Sequence, residues 1–322
     1  MRQYIMRRVL QMIPILIGVS IILYAVFSAA PGNVVDNMVA NKPNMTKAKE
    51  EQLKRLYGLD KNIVVRYGKW AAKAVRLDFG QSYRYKQPVS KVIGTYVWNS
   101  FWLALVSFII SFIIAIPIGV ISATKQYSTF DQAFTIFALI GISIPAFFFG
   151  LLLIKWLSVD LKWFPVSGME NIGSQKTGMA RFLDIAYHMF LPCIVLALAN
   201  IAGYMRFTRT SMLEVIRQDY VRTARAKGLS EKVVIYRHAL RNGLIPIITI
   251  IGLGLPGLFG GAMLTETIFK WPGIGTVALN ALTSRDYPLL MGFNMLLAIL
   301  TLIGNLIADI TYAIVDPRVR LK

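Results

Sequence analysis

Long runs of apolar residues, almost free of charge, recur along this chain of 322 residues and decide what it can fold into. The run from Val9 to Ala30 is long enough to cross a hydrocarbon core of about 30 Å as a helix. Five more runs follow, Phe101 to Ile121, Gln132 to Trp156, His188 to Met205, Leu244 to Ile268 and Leu289 to Ile310. With 56% hydrophobic and only 16% charged residues, the chain lies far from the averages of soluble domains. The expectation is an all-α, polytopic membrane protein with six transmembrane helices.

The charges outside these runs set the expected topology. A formal net charge of +19 would suggest nucleic acid in a soluble protein, but here the basic residues gather between the runs, as insertion topology and anionic lipid favour. Arg2, Arg7 and Arg8 precede the first run and hold the N-terminus in the cytoplasm. That run exceeds the usual h-region of a signal peptide, about 7–15 residues, and reads as an uncleaved first span. The ending Asp316-Pro317-Arg318-Val319-Arg320-Leu321-Lys322 is again basic, so both termini are expected inside.

The chain thus divides into 1–30, the N-terminus and first span, and 31–97, an extracytoplasmic segment. A five-span core, 98–315, and a cytoplasmic tail, 316–322, complete it. Within 31–97, Met45 to Tyr57 reads as a surface helix stopped by Gly58, and Val64 to Leu77 with the turn Phe79 to Tyr83 completes a small folded element. A second external segment, Ser158 to Ala186, carries Trp163, Phe164 and Pro165 at the membrane interface, with His188 at its boundary.

The stretch from Arg206 to Arg241 holds nine Lys or Arg residues against only Glu214, Asp219 and Glu231, the strongest inside signal in the chain. Met212, Val215, Ile216, Val221 and Ala224 fall at helical spacing. The helix stops at Gly228, and a second begins with Ser230 as N-cap and Glu231 in its first turn. A helix-turn-helix for DNA would share this pattern, but the greasy flanks place the corner at a membrane surface and exclude nucleic acid. It reads as a docking surface within a cytoplasmic loop, 206–243.

Equally informative is what is missing. A charge at a bilayer centre costs about 2.5–3.5 kcal/mol or more, so an ion-coupled carrier would keep ionisable groups there for a purpose. Here Lys155, Glu266 and Asp309 all lie near span ends, and Lys155 is placed to snorkel toward headgroups. The fifth run carries Gly252, Gly254, Gly257, Gly260 and Gly261 with Pro246 and Pro256, a pattern for close packing and bending rather than phosphate binding. No paired carboxylates, zinc motif or nucleophile elbow is present, and His188 and His238 stand alone. The single cysteine, Cys193, permits no intrachain disulfide or thiolate metal cluster. No catalytic or metal-ligating residue is assigned, and residues contacting a substrate are not identifiable. The chain lacks a phosphate-binding Gly-x-x-x-x-Gly-Lys-Ser/Thr loop, so energy for transport would come from elsewhere.

The segment Asp219-Tyr220-Val221-Arg222-Thr223-Ala224-Arg225-Ala226-Lys227-Gly228-Leu229 resembles the cytoplasmic coupling motif of ABC importer permeases, in the form carried by peptide importers. Arg222, Thr223 and Ala224 stand where the general motif has an acidic residue and two alanines. The ending His238-Ala239-Leu240-Arg241-Asn242 with Pro246 is similar to the peptide branch too. So are Tyr4 to Arg8, Tyr57 to Asp60, Phe79 to Ser82, Glu266 to Gly275, Arg285 to Pro288 and Asp316 to Arg318. Together they resemble the B-type permease subunit of dipeptide and oligopeptide importers.

This resemblance implies a multi-pass subunit of a bacterial cell membrane, paired with a second, C-type permease, two cytoplasmic ATPase subunits and an extracytoplasmic peptide-binding protein. ATP and Mg would be bound by the ATPases, leaving no cofactor in this chain. The helix ending at Gly228 would seat in an ATPase cleft, with Arg222, Arg225 and Lys227 facing acidic groups and Val221, Ala224 and Leu229 offering apolar contact. A permease for nickel or another small solute shares the same motifs and stays open as an alternative; an ion-coupled secondary carrier is the alternative outside the family.

Overall fold

The computed structural model describes residues 2–30, 35–36, 39, 46–56, 60–173 and 175–315, and among these the chain is helical, with one isolated bridge between Gln81 and Pro88. Met45, Gly58 and the tail from Asp316 onward lie outside the described residues. Three helices, α1 (Arg2–Ala29), α2 (Lys47–Leu56) and α3 (Ile63–Ala74), precede the long α4 (Val89–Thr124). After α5 (Thr129–Ser143) comes α6 (Ala146–Leu153), which runs into a π-helical segment, Ile154–Asp160. The longest helix, α7 (Gly178–Ile216), leads to α8 (Asp219–Ala226) and α9 (Glu231–Val233). A second π-helical segment, Val234–Ala239, joins α9 to α10 (Leu240–Gly243). Then follow α11 (Ile245–Gly254), a 3₁₀ turn (Leu255–Phe259), α12 (Met263–Ile268), α13 (Ile274–Thr283) and α14 (Tyr287–Val315).

Four of these, α1, α4, α7 and α14, are long and apolar enough to cross a membrane. The third expected span is instead a pair of helices, α5 and α6, bent by 98°. Pro145 explains the bend: it lacks an N–H and pushes the residue before it out of the helical region, so Ile144 is extended at ψ 122°. The fifth expected span, Leu244 to Ile268, is not one helix. It breaks where Gly254, Pro256, Gly257 and Gly260 withdraw helical support, leaving α11, the 3₁₀ turn and α12 as separate pieces. Two helices begin earlier than the apolar runs indicate, α4 at Val89 and α7 at Gly178, because apolarity marks lipid depth and not helix length.

The chain forms two compact units, Met1–Asn99 with Gly273–Lys322, and Ser100–Pro272. In the first, α1 packs along α14. Helix α3 is strapped to α1 by aromatic contacts, with Tyr24 5.5 Å from Tyr67 and 5.8 Å from Trp70 between ring centroids. The Ser20 and Tyr67 hydroxyls share a hydrogen bond of 2.9 Å. Two sequence pieces that carry the family resemblance meet here. Asp286, fully buried, accepts hydrogen bonds from the Ser82 hydroxyl at 2.5 Å and the Arg84 N–H at 3.0 Å.

In the second unit, small residues set the helix packing. Ala138 with Phe134 of α5 lies against Ala197, Ile201, Ala202 and Met205 of α7, beside Ala115 of α4. Glu266, also fully buried, accepts from the Ser100 hydroxyl at 2.6 Å and from the Ala262 N–H at 3.0 Å. Its carbonyl receives the N–H of Trp271, whose ring packs on Leu103 and Cys193. Lys155 is paired with Asp160 at 2.7 Å on an exposed edge.

Replacing Asp286 with alanine removes the acceptor of three donors, the Ser82 hydroxyl and the Arg84 and Leu289 N–H groups, and the expected loss is about 2–3 kcal/mol. Thermal unfolding of the purified detergent-solubilised protein checks this, with Ser82→Ala expected to cost less because the Asp286 carboxylate keeps its two N–H donors and only the Tyr85 N–H loses its acceptor.

Candidate functional site

The corner expected between Arg206 and Arg241 is present, built from the end of α7, then α8, the Gly228 turn and α9 with its π-helical continuation. Helix α7 ends at Ile216, and Gln218 turns extended at ψ 149° before Asp219 starts α8. Asp219 in the first turn suits the positive end of the helix dipole. The helix closes with the Gly228 N–H on the Arg225 carbonyl at 2.9 Å.

Gly228 has φ +76°, the left-handed region that L side chains avoid, yet a Cβ added there would meet nothing within 4 Å. Its glycine is required by backbone conformation, not by crowding. Ser230 occupies the N-cap position of α9, but its side chain makes no capping hydrogen bond. Glu231 ties the two helices together instead. The Arg225 Nη2 donates to its Oε1 at 2.7 Å and Nε to Oε2 at 3.1 Å. The hydrogen-bonded guanidinium holds the Glu231 carboxyl below its ordinary value and is itself stabilised as a cation.

One face of the corner is buried in the chain's own core. Val221, Ala224, Val234, Ile235 and Ala239 cluster with Met212 of α7 and with Val120 and Ala123 of α4. Val221 and Ala224, expected to offer apolar contact to a partner, face the chain's own core in this structure. Val221 is 0% exposed and Ala224 5%. The helical stripe they form is satisfied within the molecule. Arg225 likewise already engages Glu231. The outward face carries Tyr220, Arg222, Ala226, Lys227, Gly228 and Leu229, all exposed, together with Val233 and Tyr236. Asp219 is exposed beside Arg222, at 3.5 Å.

Sequence reasoning missed one constellation beside the corner. Arg209 of α7, counted among the surface cations, reaches Asp131 at the start of α5 through two hydrogen bonds, 2.7 and 2.8 Å. Asp131 also accepts from the Ser122 hydroxyl of α4 and from the Tyr127 N–H at 2.9 Å. It is 3% exposed. The available signal was an acidic residue just after a short connection whose only basic residue is Lys125. Among the described residues, no group of three or more His, Cys, Asp or Glu side chains is placed to hold a metal ion.

The helical architecture has the fold of an ABC importer permease. The solved inward-facing MetNI methionine ABC transporter aligns with TM-score 0.51 at 17% identity, covering 70% of this chain and 97% of that one. At that identity the likeness is one of fold. Residues 115–321 match the family described as binding-protein-dependent transport system inner membrane component, and residues 1–103 match the N-terminal family of the same systems. The oligopeptide transport system permease protein AppB of Bacillus subtilis is 45% identical over 320 residues, 99% of each chain. The dipeptide transport system permease protein DppB of Escherichia coli is 37% identical over 339 residues, 100% of each. The chain belongs to the family of binding-protein-dependent transport system inner membrane components. It is a non-catalytic, multi-pass subunit of the cell membrane, and ATP hydrolysis resides in partner proteins.

Because nothing obstructs a Cβ at position 228, Gly228→Ala isolates the backbone term, an expected cost of about 1–2 kcal/mol. Hydrogen exchange should show reduced protection of 219–235 in that variant while the protection of α4 is retained.

Proposed function

We propose that this chain is one permease of an ATP-driven importer of short peptides. The observation that carries the reading is similarity to an oligopeptide permease over 99% of each chain. The partners are a second permease, two cytoplasmic ATPase subunits that bind ATP and Mg, and an extracytoplasmic peptide-binding protein. In this reading the chain crosses the membrane six times with both termini inside. The bent α5–α6 pair serves as one crossing, and the broken α11–α12 region as another.

The coupling step follows from the construction of the corner. Its inner face is fixed to α4 and α7, so the exposed face moves only with the membrane core. Tyr220, Leu229, Val233 and Tyr236 give that face apolar contact, and Arg222 and Lys227 give it charge. Closure of the ATPases on ATP would carry α8 and α9 as one body, since Arg225 and Glu231 clamp them, and would alternate the path between outward and inward access. The segment 31–97 helps receive the binding protein.

Purification from detergent-solubilised native membranes is expected to recover a second permease, ATPase subunits and a peptide-loaded receptor with this chain. A lone homodimer, with uptake that survives ATP depletion but collapses with the ion gradient, would overturn the reading. Gly228→Val should abolish ATPase association while membrane insertion persists.

A further inference from the structure

Helices α4 and α5 are joined to the cytoplasmic end of α7 in different ways. The α4 contact is one of close approach: a Cβ built at Gly119 would lie 2.6 Å from Thr208 Cβ and 2.8 Å from the Met205 carbonyl oxygen. Val120 and Ala123 then extend that contact into the corner core. Helix α5 contributes no residue to that core among the described residues. Its apolar contact with α7 lies further along, at Phe134 and Ala138 against residues between Ala197 and Met205. Small, smooth side chains resist separation but permit helices to slide past one another.

Asp131 and Arg209 do not permit sliding. Their two parallel hydrogen bonds fix distance and angle together. Arg209 stands about one helical turn before Met212 and Leu213, which pack in the corner core, so a displacement of that core arrives at Arg209 almost undiminished. On the other side, the Ser122 hydroxyl and Tyr127 N–H hold the carboxylate. Asp131 therefore cannot follow Arg209 by turning its own side chain, and the pull is delivered to the end of α5.

We infer that the Asp131–Arg209 pair is the positioning contact through which movement of the docking corner is passed to α5 and the bent α5–α6 pair. It rests on the ATP-driven reading above. The role assigned to the two residues is to hold α5 in register with α7.

The test uses the complete transporter in proteoliposomes, with assembled complex, basal ATPase, ATPase with loaded binding protein, and uptake measured on the same preparations. Arg209→Lys keeps the charge and loses the two-pronged geometry. It is expected to assemble normally and keep basal ATPase within about two-fold, while uptake per ATP hydrolysed falls about ten-fold. Ser122→Ala leaves the ion pair but loosens Asp131, and should give a fall of about three-fold. This second variant decides the matter if Arg209→Lys fails to assemble. Unchanged uptake per ATP in the assembled variants would make the pair a structural brace and overturn the inference. A wild-type complex without ATP-dependent uptake would instead overturn the importer reading itself.

Discussion

Burial of Val221, Ala224, Val234, Ile235 and Ala239 on Val120, Ala123 and Met212 makes the corner part of one core with α4 and α7 instead of a tethered loop. Full burial of each Val or Ile contributes roughly 1.5–3 kcal/mol, so the cluster as a whole outweighs the Arg225–Glu231 clamp, whose partners remain substantially exposed. The clamp sets the angle between α8 and α9; the apolar cluster decides that they stay attached. Everything proposed for the exposed face depends on that attachment, because a surface free to move alone transmits no work.

Much of the fold was legible because lipid leaves a chain few choices. Apolar runs long enough to cross a bilayer gave α1, α4, α7 and α14 directly. The breaks were harder to read. Pro145 and Pro256 were both visible, but whether a proline kinks a helix or ends it depends on what satisfies the freed backbone, and that comes from neighbouring helices. The corner was legible for the same reason as its turn: Gly228 stands where only a residue tolerant of positive φ fits cheaply. The direction of its apolar stripe was not. Periodicity shows that Val221 and Ala224 share a face, but it cannot show whether that face meets the chain's own core or another protein. Arg209 was hidden similarly, since its partner lies 78 positions away, beyond the reach of local pattern.

The two units handle buried charge in the same way. Asp286 is met by the Ser82 hydroxyl and nearby N–H groups, and Glu266 by the Ser100 hydroxyl and the Ala262 N–H at the start of its own helix. In both, a carboxylate joins a sequence piece of the family resemblance to a distant helix or loop. Those pieces are therefore joints of the scaffold, which explains why they bear no relation to any catalytic pattern.

The separation of Asp131 from Arg209 also has a consequence in time. A ribosome adding about 5–20 residues per second incorporates Asp131 roughly 4–16 s before Arg209. Through that interval the carboxylate depends on partners already synthesised, and the structure supplies them nearby: the Ser122 hydroxyl, nine residues before it, and the Tyr127 N–H, four before it. The α4–α5 hairpin thus carries hydrogen-bond donors of its own for this carboxylate, available before α7 is complete.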